Sequence, residues 1–325
     1  MMNSGNFRSL FRPKAKRSAL SRGIFFLAFA FWAATGAQAA GTSAVPTVAV
    51  SIIPQAEFVA RIAGDRVKIL TLVPPGADPH SYEPTPRQMA ELSGAAIWFS
   101  IGVEFENAIL PKVKALYPRL RVVNTAKNVA YRTLETHADL TAPSASPSSQ
   151  PALAASPHAD EGGGPDPHVW LGLAAVKVQL ASIREALIAL LPADAALFKA
   201  NHDAYLREIE AVFADLAKQL APLKGDEVFV YHPSFGYFLD NFGLKQVAVE
   251  VGGKEPTQKT IALLIEKARK AGAKIIFVQK QFSVAAARTV AQAIGGTVVE
   301  IDPLAPNWLE NIKVMGAALQ RAAVR

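Results

Sequence analysis

Four residues in this 325-residue chain have the types and settings of metal donors: His80, His168, His232 and Asp302. His80 and His168 each close an Asp-Pro-His tripeptide, Asp78-Pro79-His80 and Asp166-Pro167-His168. His232 lies within Tyr231-His232-Pro233 and Asp302 within Ile301-Asp302-Pro303. Imidazole nitrogens and a carboxylate oxygen are suitable donors for a divalent transition-metal ion. Each of the four borders a proline, which fixes its own φ and holds the residue before it extended. A stiff loop loses less entropy when it presents a ligand. Taken singly, none is distinctive: a lone His after a strand is often a hydrogen-bonded loop residue, and Asp-Pro commonly starts a turn. The reading rests on the four together. Three imidazoles favour zinc, with iron or manganese as the other choices; manganese is expected to draw more carboxylate.

The elements that must position these donors alternate between strand and helix. Strand-like runs at 47–53, 66–73, 95–100 and 121–124 alternate with helical stretches at 55–63, 86–92 and 105–110. His80 sits in the loop 74–86, PPGADPHSYEPTP, between an apolar run and a helix start with Thr85 as N-cap, Pro86 at N1 and Gln88 at N3. A second set follows: strands at 227–231, 246–251, 274–278 and 297–301, helices at 235–241, 257–271, 284–294 and 307–322. Between the sets come helices at 173–191 and from 194 to about 220, the latter about 40 Å long at 1.5 Å per residue. The expectation is an α/β chain of two lobes with mostly parallel sheets, bridged by a long rigid helix. The lobes are placed at 45–172 and 225–325, with the linking helices at 173–221. Ligands of open α/β sheets gather outside the carboxyl ends of the strands, where His80, His232 and Asp302 fall. With two donors in each lobe, the site belongs in the cleft between them.

Other stretches limit the function. Of 34 basic residues, six (Arg8, Arg12, Lys14, Lys16, Arg17 and Arg22) lie in the first 22 positions with no acid among them. The remaining 28 nearly balance 27 acids, so the net charge of +7 is no sign of a nucleic-acid partner. That basic start, the apolar run 24–34 and Ala37-Gln38-Ala39 read as a cleavable secretory signal at 1–39. The chain has no cysteine, which excludes disulfides, thiolate ligands and a cysteine lipid anchor. A periplasmic protein that is not a lipoprotein is expected, and a monomer. The segment 141–165, rich in Ala, Ser, Pro and Gly, has little apolar surface to bury and reads as a mobile loop. His137 and His158, in or beside that segment, are read as linker residues, and His202 as an exposed residue on a polar stretch.

Gly252-Gly253-Lys254 follows a strand but lacks the phosphate-loop frame. Neither a dinucleotide fingerprint nor a nucleophile elbow is present. A zinc hydrolase built on three His would need a general base. Glu83 is the acid close to a donor, and solvation alone would explain it.

Five ordered segments, PPGADPHSYEPTP, DPHVWL (166–171), YHPSFGYF (231–238), GKEPT (253–257) and IDPLA (301–305), together resemble the zinc/manganese-binding solute-binding proteins of ABC transporters, the ZnuA type. The resemblance runs from about Val45 to the C-terminus. It implies two lobes joined by a rigid helix, and a metal ion held between them for delivery to a membrane permease. The positions matching the family's ligands are His80, His168, His232 and Asp302. His at the third position resembles the zinc-binding members, so Zn2+ is the expected cargo and Mn2+ the less favoured one. Two features depart from the pattern. The 141–165 segment carries only His158, and Gln279-Lys280 stands where the family usually has Glu-Pro. A metal-scavenging adhesin is a third option, which surface exposure would support.

Overall fold

The computed structural model describes residues 44–134, 163–250, 256–282 and 284–323. The expected signal, most of the 141–165 segment with His158, His137 beside it, and Gly252-Gly253-Lys254 lie outside the described residues.

The first lobe runs β1 (Thr47–Val50), α1 (Ile53–Ala63), β2 (Lys68–Thr71), α2 (Pro86–Ser93), β3 (Ile97–Ser100), α3 (Glu104–Leu116) and β4 (Arg121–Asn124). Its four strands are parallel in the order β2-β1-β3-β4. Two helices follow, α4 (Leu173–Leu190) and α5 (Ala195–Leu220). The second lobe runs β5 (Glu227–Val230), α6 (Gly236–Asp240), β6 (Lys245–Ala248), α7 (Gln258–Lys270), β7 (Ile275–Val278), α8 (Ala285–Ala293), β8 (Thr297–Glu300) and α9 (Trp308–Ala323). Its sheet repeats the plan, β6-β5-β7-β8, again all parallel. In both sheets the strand order reverses at the first strand. Two topological switch points result, at the carboxyl ends of β1/β3 and β5/β7, and such points open a crevice for ligands.

The strand sequences explain this burial. Val48, Ala49, Val50, Ile97, Trp98 and Phe99 are all buried, as continuous apolar runs must be when helices cover both faces of a parallel sheet. α5 ties the halves together. Its 26 residues span about 39 Å, packing on α1 at one end and on α9 at the other. Tyr205 Oη donates to Glu57 Oε1 at 2.9 Å and Asn201 Nδ2 to the Ile62 carbonyl at 3.0 Å, both in the first lobe. At the far end Phe213 stacks on Phe242, with centroids 5.9 Å apart, and Gly316 of α9 lies against Leu216. A Cβ at Gly316 would fall 2.3 Å from Leu216 Cδ2, so glycine is what allows these helices to meet. One hydrophobic core runs through both lobes by way of α5, and a smaller one lies within the second lobe.

Two expectations need correction. The helix expected at 105–110 extends to Leu116, through Pro111. Phe105, Ile109 and Val113 lie along one inward face, and their packing carries the helix past the missing amide donor. His202 is 5% exposed rather than on the surface. It belongs to the buried stripe Phe198, His202, Tyr205, Ile209 and Phe213 of α5, whose spacing of three and four outweighs its polar neighbours Asn201 and Asp203. Its Nδ1 lies 2.8 Å from Asp203 Oδ1 and 3.2 Å from Arg184 Nη1.

Candidate metal centre

Three of the four candidate donors converge. The Nε2 atoms of His80, His168 and His232 form a triangle with sides of 3.1, 3.2 and 3.2 Å. Among the described residues these three form the one cluster of metal-donor side chains of this kind. Asp302 stands outside it. Its Oδ1 accepts from the Leu304 amide at 2.9 Å and from Gln281 Nε2 at 3.1 Å.

The repeated Asp-Pro tripeptides explain part of this placement. Asp78 Oδ1 accepts the His80 amide at 3.0 Å, and Asp166 Oδ1 accepts the His168 amide at 2.9 Å. Asp302 makes the same turn with Leu304, so its carboxylate is used as Asp78 and Asp166 are, to shape a loop. The long loop before α2 is pinned at its far end by the expected cap. Thr85 Oγ1 accepts from the Gln88 amide, and Gln88 Oε1 accepts from the Thr85 amide at 2.9 Å. Gln88 Nε2 reaches back to the Leu72 carbonyl at 2.6 Å.

Each imidazole is held from behind by a carboxylate. His80 Nδ1 lies 2.7 Å from Glu104 Oε2, His168 Nδ1 2.7 Å from Asp166 Oδ1, and His232 Nδ1 2.7 Å from Glu250 Oε2. A carboxylate there holds the proton on Nδ1 and turns the Nε2 lone pair toward the centre. Three lone pairs aimed at one point form a site for a cation. The supports come from strand ends around both switch points: Glu104 from β3, Glu250 from β6. Glu106, buried on the same first turn of α3, accepts from the Ile101 amide at 2.9 Å and the Gly102 amide at 2.7 Å, fixing the bend that carries Glu104.

Gln279, at the end of β7, does for His232 what no carboxylate could. Its Oε1 accepts the His232 amide at 3.3 Å, while its Nε2 donates to the His232 carbonyl at 2.8 Å and to Ser234 Oγ at 2.7 Å. An amide both accepts and donates, whereas an ionised glutamate only accepts. The departure at position 279 therefore has a structural meaning. Phe282 completes the setting, stacked on the His232 ring at 4.5 Å.

The protonation equilibria follow from these contacts. Burial, the largest influence, drives His168 down to about 4; its neighbour Asp166 opposes this, and the other two imidazoles add to it. His80 is also burdened by burial, but the hydrogen bond and charge of Glu104, with Asp78 and Glu250, raise it above the usual value. Burial would raise Glu104 too, yet its bond to His80 outweighs that and lowers it. His168 is thus a neutral imidazole at pH 7, while His80 holds a proton more readily than His168 does.

Glu104, Asp166, Glu250 and Gln279 were not singled out among the candidates from sequence. Asp166 carried a signal, the second Asp-Pro-His; the others carried only their place at strand ends. Glu83, the acid considered as a general base, is exposed.

Known proteins are similar to this chain over most of its length. The family model for the periplasmic zinc-uptake complex component A, ZnuA, matches residues 48–322. A crystal structure of ZnuA is 33% identical, with a TM-score of 0.75 over 86% of this chain and 99% of its own. A putative metal-binding protein of Treponema pallidum is 27% identical over 287 residues, 88% of this chain and 87% of its length. The zinc-binding lipoprotein AdcA of Streptococcus pneumoniae is 27% identical over 262 residues, 79% of this chain but 50% of its own. This chain thus spans about half the length of AdcA.

Proposed function

Starting from the membership of this chain in the ZnuA family of metal-binding solute-binding proteins of ABC transporters, we propose that it captures zinc between its lobes and hands it to a membrane permease. The observation that carries this reading is the triangle of Nε2 atoms, each backed by a carboxylate. Zinc–nitrogen bonds of about 2.0–2.1 Å at tetrahedral angles put neighbouring nitrogens about 3.3 Å apart. The sides of 3.1 to 3.2 Å come within about 0.2 Å of that without rearrangement. An all-imidazole triangle suits zinc better than manganese, which prefers oxygen.

In this reading His80, His168 and His232 are ligands. Asp302 is the fourth donor, engaged by a shift of its loop, in a position that water also fills. Delivery takes place in the periplasm by a monomer; two of the relatives are named for binding metal, one of them zinc. Among the described residues no helix is long and apolar enough to cross a membrane.

The test is thermal unfolding of chelated protein with zinc and with manganese added back. Binding to the native state alone stabilises by about 4 kcal/mol at a thousandfold excess over Kd. The reading expects zinc to raise Tm by several degrees and manganese to do less at equal concentration. A Tm unmoved by zinc contradicts the site; a larger rise with manganese contradicts the choice of cargo.

A further inference from the structure

Behind His168 lies a second layer of contacts that the metal site alone does not require. Asp166 is fully buried, and its two oxygens face different partners. Oδ1 holds His168 Nδ1 at 2.7 Å, while Oδ2 accepts from Arg132 Nη1 at 2.9 Å. The same guanidinium crosses to the second lobe, where Arg132 Nε donates to Asp240 Oδ2 at 3.1 Å. The backbone repeats the connection. The Asp166 amide donates to the Arg132 carbonyl at 2.9 Å, the Arg132 amide to Tyr237 Oη at 3.0 Å, and Tyr237 Oη to the Asp166 carbonyl at 3.0 Å.

A separate observation points to the same arrangement. Gly236 opens α6, and a Cβ added there would fall 1.6 Å from Arg132 Nη1 and 2.1 Å from Cζ. The guanidinium therefore lies directly on the glycine backbone, in a space that no other residue leaves free. The glycine and the two carboxylates define one pose for one arginine.

We infer that Arg132 is a positioning residue for the metal ligand His168: through Asp166 it fixes the imidazole, and through Asp240 and Gly236 it fastens that ligand to the second lobe. The physical reason is bidirectional. Without a cation on Oδ2, a buried carboxylate keeps only the donors of the neutral His168 on Oδ1, and it turns or hydrates to find another partner. An imidazole whose Nδ1 partner wanders no longer keeps its Nε2 aimed at the ion. Loss of such an outer contact typically weakens metal binding about 10- to 100-fold. Because the arginine spans both lobes, the loss should fall mainly on how long the ion is held.

This inference rests on the metal-binding reading, and its test separates the two. Arg132→Met removes the cation, whereas Gly236→Ala keeps it and displaces the flexible guanidinium. Two readouts are taken on the full chain: zinc release into excess chelator by stopped flow, and the His168 Nδ1 proton in metal-free protein by 15N-edited NMR. Both variants should release zinc about 10- to 100-fold faster and should shift or broaden that proton. Arg132→Lys should recover part of the rate, and Gly236→Ala should add nothing in the Arg132→Met background. A merely structural role would give additive losses and leave the His168 proton unmoved. If wild type holds zinc while both single variants release it at the wild-type rate with an unchanged His168 signal, the inference is overturned. If wild type binds no zinc, the metal reading fails, and the NMR signal alone decides whether Arg132 positions His168.

Discussion

His80 and His232 bring the same donor atom to the same point by different means. His80 stands on a long loop beyond β2, with its side chain 21% exposed and backed by Glu104, which is itself 54% exposed. His232 follows β5 by two residues. Its ring is stacked on Phe282, its Nδ1 faces the buried Glu250, and both its backbone polar groups are taken by Gln279. Of these two, His232 is thus the more buried and the more fully hydrogen-bonded, and His80 lies at the solvent edge. The contrast gives the histidine cluster a fixed anchor and an approachable rim, which suits the proposed capture and release of a cargo.

The largest expected effect is the loss of the anchor. Zinc sites of four ligands bind with about 10–16 kcal/mol, so one imidazole accounts for about 3 kcal/mol, a more than hundredfold change in Kd. His232→Ala should lose at least that by competitive chelator titration, and His80→Ala should lose less. Equal losses would erase the contrast between the two ligands. Next comes Gln279→Leu, which leaves the buried His232 amide without its partner, at about 1–3 kcal/mol, while the His232 carbonyl keeps the Ser234 amide at 2.8 Å. It should lower Tm and weaken zinc together, while Gln279→Glu, able to accept but not donate, should fall between leucine and wild type.

A smaller effect is expected from Glu104→Gln at the rim, about tenfold in zinc affinity. Its clearer signature is in pH. A protonated imidazole cannot bind metal, so affinity falls as pH drops through the raised value of His80. Removing the charge that raises it should move the midpoint of that fall to lower pH, measured by zinc titration between pH 5 and 8. A midpoint that stays in place would show that His80 is not the titrating rim ligand. The smallest effect belongs to the segment at 141–164. Deleting it should leave zinc affinity nearly unchanged, and a large loss would show that it supplies a donor.

How legible this arrangement was depends on the range of the contacts involved. The strands, most helices and the cap at Thr85 follow from local pattern and lie within a few residues of where they stand; the helix expected at 105–110, which runs to Leu116, does not. The convergence of the three histidines was legible because proline marks each of them and strand ends mark His80 and His232. The Asp-Pro repeat was only half read. Asp78, Asp166 and Asp302 all accept the amide two residues on, a turn that says nothing of whether the next donor is an imidazole or, as at Leu304, none. Glu104, Glu250 and Gln279 reach their histidines from other strands, across separations that only the order β2-β1-β3-β4 and its repeat bring together. His202 was misread because its adjacent neighbours were weighed in place of those three and four positions away.

The central claim, three imidazoles on one zinc ion, is tested most directly by X-ray absorption at the zinc edge of protein loaded with one equivalent. The account predicts three histidine nitrogens at about 2.0–2.1 Å, falling to two in His232→Ala. A zinc environment with no histidine scattering, or one identical in wild type and His232→Ala, would contradict it.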